Sequence, residues 1–341
     1  MHEEFPSGRT AEDRRLADGG GRHVVVGVDG SPGSREALAY GLTAAARRGV
    51  DVEVVATYPL PLPWAGGTPA VVPDPAALRQ GLEAAVREIV ADVQRGPSGV
   101  PAADGGAPRI LVSVSEGPAA PVLVERSRHA DLLVVGSRGR GAVRSAVLGS
   151  VALQCVAGAA CPVLVVPSPA AERPAGPPLV VVGIDGSAHA RAALRVAITE
   201  ARRLGAAVEA VAAYDPGGRW TELDESVAPS FEGIRADVEH GAAAMVDEAL
   251  ADDRAAGGGS APDVRVAVVE GIPAEVLVSW SHGAELLVVG SRGRGGIRGL
   301  LLGSVALRCL VSSACPVLVV PPGADRPAEA PGHVRPAVAA S

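Results

Sequence analysis

The chain has 341 residues, a formal net charge of -7, and neither lysine nor asparagine. These features set aside a lysine-based phosphate loop, a lysine Schiff base, N-glycosylation and a basic nucleic-acid-binding face. Hydrophobic residues make up 48% but aromatics only 2%, so the core must be built from Val, Leu, Ala and Ile, as suits helices packed on parallel strands.

Residues 1–21 are polar, with Glu3, Glu4, Asp13, Arg14 and Arg15 and no apolar run of the signal-peptide or anchor type, and are expected to be disordered. Short Val-rich runs then alternate with helical segments. The pattern predicts a strand over His23–Val28, a helix over Ser31–Arg48, a strand over Val52–Thr57 and a helix over Pro75–Arg95. It continues with a strand over Ile110–Val114, a helix over Ala119–Arg128, a strand over Leu132–Val135, a helix over Ser145–Ala157 and a strand over Val163–Val166. Apolar strands of four to six residues between amphipathic helices imply a parallel sheet covered on both faces and wound right-handed. No stretch approaches the ~18–20 apolar residues of a membrane span, so a soluble, cytoplasmic protein is expected.

The order then repeats. VVVGVDGS at Val24–Ser31 returns as VVVGIDGS at Val180–Ser187, and DLLVVGSRGRG at Asp131–Gly141 as ELLVVGSRGRG at Glu285–Gly295. LGSVALQC at Leu148–Cys155 returns as LGSVALRC at Leu302–Cys309, and CPVLVVP occurs at Cys161–Pro167 and Cys315–Pro321. Two tandem five-stranded α/β domains are expected, over 22–167 and 179–321, joined by the Pro-rich linker 168–178 and followed by a disordered tail over 322–341. The VLVV runs at 163–166 and 317–320 would be unprotected sheet edges, and two such edges in one chain can satisfy each other as an intramolecular pseudo-two-fold pair. Further homodimerisation stays open, without support in the sequence. The most divergent segments, Pro59–Asp74 and Asp215–Phe231, are where specific partners would touch.

In an open parallel sheet, ligands bind beyond the carboxyl ends of the strands, where the winding reverses. With strand order 3-2-1-4-5, Asp29 after strand one and Gly136 after strand four meet there. Gly136, Gly139 and Gly149 allow close backbone approach, Ser150 adds a hydroxyl, and the helix that follows offers amides to an anion. This is a phosphate cradle without lysine. Asp29 suits an adenine amino group or a ribose hydroxyl, and its D-G-S context also fits a turn or helix start. Arg138, Arg140, Arg292 and Arg294 either meet phosphates or mark solvated surface. The two Cys-x5-Cys pairs, Cys155/Cys161 and Cys309/Cys315, read as buried hydrophobes, not a metal site. His129 and His282 read as partners of helix C-termini.

The spacing Gly136-x2-Gly139-x9-Gly149-Ser150, repeated as Gly290-x2-Gly293-x9-Gly303-Ser304, resembles the G-x2-G-x9-G-[ST] ATP-binding motif of universal stress protein domains. The openings with Asp29 and Asp185 and the closing CPVLVVP resemble that family's first and last strands. The resemblance covers both repeats almost end to end. It implies an adenine nucleotide α-hydrolase-like fold, ATP with Mg2+ as ligand, and pocket contacts from Thr57 and Ala213, Val135 and Val289, and Val151 and Val305.

The resulting expectation is an ATP-binding stress-response regulator, not an enzyme, because the sequence holds no committed catalytic set; slow ATP hydrolysis stays open. A nucleotidyl transferase or adenylating enzyme of the same fold would carry an HxGH or SGGxDS element where VDGSPGS and IDGSAHA stand. A structural pseudo-dimer with empty pockets would not need intact glycine motifs.

Overall fold

The computed structural model describes residues 22–58, 74–96, 107–139, 148–168, 176–215, 231–294 and 302–323. The expected disordered ends, apart from residues 322 and 323, most of the linker, and most of the two segments after the second strands lie outside the described residues.

The first half runs β1 (His23–Gly27), α1 (Pro32–Arg48), β2 (Asp51–Tyr58), α2 (Pro75–Arg95), β3 (Ile110–Glu116), α3 (Ala119–Arg126), β4 (Leu132–Gly136), α4 (Ser150–Gly158) and β5 (Val163–Val166). The second repeats it as β6 (Leu179–Gly183), α5 (Ala188–Leu204), β7 (Ala207–Tyr214), α6 (Phe231–Ala255), β8 (Val264–Glu270), α7 (Pro273–Trp280), β9 (Leu286–Gly290), α8 (Ser304–Ser312) and β10 (Val317–Val320). Each half has strand order 3-2-1-4-5, all parallel. The halves join where β5 and β10 pair antiparallel, with Leu164 opposite Leu318, giving one ten-stranded sheet and a pseudo-two-fold through that pair.

Local sequence explains the first helix of each half. Ser31 is the N-cap of α1 and accepts from the Ser34 amide, and Pro32 lacks an amide that the first turn would leave unpaired anyway. Gly49 ends the helix at φ 63°, a left-handed conformation that a side chain would strain, and Arg47 and Arg48 sit where the helix dipole favours cations. Ser187 and Gly205 do the same for α5.

Strand alternation divides the core into two layers. Val24, Val26, Val52 and Val54 pack under α1 and α2, whereas Val25, Val55, Leu133 and Val135 pack under α3 and α4. Both layers run unbroken through β5 and β10 into the second half, so the halves share their core. A buried charge interrupts the apolar pattern. Glu53 on β2 is fully buried, accepts from Arg126 Nη1 at 2.8 Å, and has its other oxygen 3.9 Å from His23 Nε2. The second half places Leu179, Glu209 and Trp280 at the matching positions.

Candidate nucleotide site

Sheet order places β1 between β2 and β4, and the chain leaves β1 for one side and returns to the other. Val26 lies beside Val134 and Gly27 beside Val55, so the carboxyl ends of these strands are level. Asp29 stands two residues past β1, exposed, and Gly136 closes β4. The Asp29 carboxylate first organises its own turn: Oδ1 accepts from the Ser31 amide at 2.9 Å, directly before the α1 cap. Asp185 accepts from the Ser187 amide at 3.0 Å in the same way. Aspartate thus forms the turn, as its D-G-S context allowed, and leaves its second oxygen facing the glycine loop.

The three glycines of each motif have three different neighbours. A Cβ on Gly136 would lie 2.9 Å from the carbonyl carbon and oxygen of Gly33, and one on Gly290 would lie 2.9 Å from His189 backbone and Cβ atoms. The first glycine is therefore required by the start of α1 or α5. A Cβ on Gly139 would lie 2.7 Å from Asp29 Oδ2, and one on Gly293 2.6 Å from Asp185 Oδ2. In the second half the Arg294 amide donates to Asp185 Oδ2 at 2.9 Å. In that half the strand-one aspartate latches the loop by its backbone. The Gly149 amide turns back to the Ser137 carbonyl at 2.8 Å, as Gly303 does to Ser291 at 2.8 Å, closing the loop at its base.

This closure moves a helix start. The sequence predicts a helix from Ser145; α4 begins at Ser150, because Gly149 is extended at φ -64° and ψ 145° and spends its amide on Ser137. Residues 140–147 lie outside the described residues, and Arg140 with them. The cap is a glycine without a side-chain acceptor, so the first amides of α4, at Ser150 and Val151, have neither an intrahelical partner nor a side-chain cap. Gly303, Ser304 and Val305 repeat the arrangement in α8. Two such amide ends beside glycine loops can hold a phosphate or another anion.

The remaining expected residues fall around this point unequally. Thr57 and Ala213 lie half-buried near the carboxyl ends of β2 and β7, one strand away from the loop. Val135 and Val289 precede the first glycines, but their side chains are 3% exposed and point into the core layer, leaving only their backbone for a ligand. Val151 and Val305 are partly buried against the same layer. Arg138 and Arg292 follow the first glycines and are half-buried.

Sequence reading missed the floor of each loop, where Gly33 in one half and His189 in the other touch the first glycine. Only the small residue at Gly33 hinted at a close approach there. It also missed that the second half's loop is bordered by the first half: Val156, Ala157 and Ala160 share a cleft with Ser291, Arg292 and Pro322.

The other candidate groups are elsewhere. Burial pushes the thiols of Cys155, Cys161, Cys309 and Cys315 up to about 12. His129 and His282 sit in single 3-10 turns after α3 and α7. Among the described residues no three His, Cys, Asp or Glu gather as a metal site, and no helix is long and apolar enough to cross a membrane.

Comparison with known proteins agrees with this architecture. The model of the universal stress protein family matches residues 21–167 and again 179–321. A universal stress protein of Mycobacterium tuberculosis H37Rv is 38% identical over 313 residues, covering 87% of this chain and 96% of its own. A second from the same strain is 35% identical over 310 residues, covering 87% and 94%. In structure, a universal stress protein of Archaeoglobus fulgidus shares the fold at a TM-score of 0.56 and 19% identity, covering 89% of this chain and 97% of its own. The fold is the adenine nucleotide α-hydrolase-like one. On the family match to both halves and these relatives, the chain belongs to the universal stress protein family.

Proposed function

We propose that each half binds one adenine nucleotide, ATP with its Mg2+, and that occupancy of the two sites regulates what the protein contacts under stress. The observation that carries this reading is the glycine loop at the switch point, built twice. It ends on helix amides without a side-chain cap, and the aspartate of strand one lies against its second glycine. The amides of Ser150 and Val151, with the Ser150 hydroxyl, suit the phosphates. Asp29 and the backbone near Thr57 suit ribose and base. Asp185, Ala213, Ser304 and Val305 take these roles in the second half. Mg2+ would arrive on the phosphates; among the described residues no group of three His, Cys, Asp or Glu is placed to hold it separately.

Asp29 and Asp185 give such binding a readout. Both carboxylates serve a turn, and that of Asp185 also holds its loop, so a nucleotide that recruits Asp185 competes with the loop for one oxygen. Loop position then reports occupancy. The reading is of a binding module, since what the described loop residues offer is backbone amides and a turn-forming carboxylate.

Equilibrium dialysis of nucleotide-stripped protein against ATP, AMP and adenosine tests the proposal. Affinity should fall as phosphates are removed, by roughly tenfold or more from ATP to AMP if helix amides hold the distal phosphates. Equal binding of adenosine and ATP would refute the phosphate role, and no binding at all would refute the nucleotide site.

A further inference from the structure

The pseudo-two-fold that pairs β5 with β10 also brings the C-terminal end of α1 against α5. Here the halves differ. Arg48 Nη2 donates to Glu200 Oε1 across the junction at 2.6 Å, and Arg48 Nη1 donates to the Ala44 carbonyl at 3.1 Å. Arg203 donates to the same Glu200 oxygen at 2.5 Å. The Arg48 side chain is only 6% exposed and that of Glu200 10%. Burial lowers the Arg48 pKa from its ordinary value, and the Glu200 carboxylate opposes that shift.

Superposing the two helices by their Ser caps and Gly ends puts Ala44 where Glu200 stands and Leu204 where Arg48 stands. Ala44 and Leu204 are partly buried against the apolar layer shared by both halves. One two-fold thus relates an ionic contact to an apolar one. The paired strands cannot tell the halves apart, because β5 and β10 have the same sequence, VLVV.

We infer that the Arg48–Glu200 pair makes the junction selective, so that the pairing surface of the first half accepts the second half and rejects another copy of itself. Two first halves would set each Arg48 against Ala44, burying two guanidiniums without the carboxylate that each bonds across the junction, with only the more distant Asp131 of the same half to offset the charge. Two second halves would set each Glu200 against Leu204, leaving it Arg203 alone. A buried charge that loses its partner is far more costly than an apolar contact, so both like pairings are disfavoured. The connection between β5 and β6 supplies the right partner at high local concentration. The chain therefore closes on itself and does not link to other chains through identical edges.

The test starts from the full chain with a protease site inserted between Ser168 and Gly176. After cleavage and equilibration, native mass spectrometry counts the pairs. The parent should give one first half with one second half, with like pairs at roughly a tenth or less. Arg48→Leu alone should admit pairs of first halves, and Glu200→Ala alone pairs of second halves. Arg48→Leu with Glu200→Ala should admit both, raising like pairs at least about fivefold toward a random mixture. The double variant keeps an apolar junction like that of Ala44 with Leu204, so it separates loss of selectivity from loss of folding. Like pairs in the parent, a double variant that stays purely mixed, or parent halves that separate without pairing would each overturn the inference.

Discussion

The glycine loops contain two positions at which the same substitution should have different consequences. At Gly136 an added Cβ meets Gly33 backbone at 2.9 Å, and backbone cannot swing aside. Gly136→Ala should therefore lower stability by about 1–3 kcal/mol, as overpacking does. That is a fall in Tm of roughly 2–4 °C per kcal/mol for a body of 150–250 residues. At Gly139 the Cβ meets Asp29 Oδ2 at 2.7 Å, the tip of a side chain that can turn away. Gly139→Ala should lower stability by about 1 kcal/mol or less, the worth of one surface hydrogen bond. It should still weaken nucleotide binding to the first half by about tenfold, or ~1.4 kcal/mol. Calorimetric melting and ATP titration of both variants decide the matter. An unchanged Tm for Gly136→Ala, or a larger loss for Gly139→Ala, would refute the assignment of separate roles to these glycines.

Three further outcomes follow from the structure. Arg126→Ala leaves Glu53 buried beside His23, and should lower unfolding stability by about 3–5 kcal/mol in denaturant titration; replacing Glu53 and Arg126 together with Leu should cost clearly less, and equal losses would show that the pair is not coupled. Ser31→Ala and Ser187→Ala each remove a helix cap and should cost about 1 kcal/mol by the same titration, with no change in the slope. The four cysteines, their thiols raised by burial, should be about one part in ten thousand thiolate near pH 8 and resist alkylation until the protein unfolds; stoichiometric labelling of native protein would contradict their burial.

Much of this was legible in the residues. Valine runs and capped helices give the strand order once a parallel sheet is recognised, and the duplicated VLVV edges announce the junction between halves. The helix start at Ser145 was misread because apolar periodicity runs through Ala146 and Leu148; a backbone hydrogen bond from Gly149 to Ser137, which no pattern displays, sets the true start. Long-range charge pairs were also hidden. Glu53 reads as a polar residue on an alternating strand, and only folding brings Arg126 from a helix 73 residues away onto it. Arg48 reads as a helix-end cation, and its role depends on Glu200 in the other half. For the site, spacing located the glycines, but the distinction between those that meet the chain and those that meet the aspartate required coordinates.

The most direct test of the account is the stoichiometry of ATP binding, measured by titration calorimetry on nucleotide-stripped full-length protein in Mg2+ buffer. Parent protein should bind one ATP per half, Gly139→Ala should bind about tenfold more weakly at the first site and as the parent does at the second, and Gly139→Ala with Gly293→Ala should be weakened about tenfold at both while still folded. A folded parent that takes up no ATP, or a double variant that binds as the parent does, would contradict it.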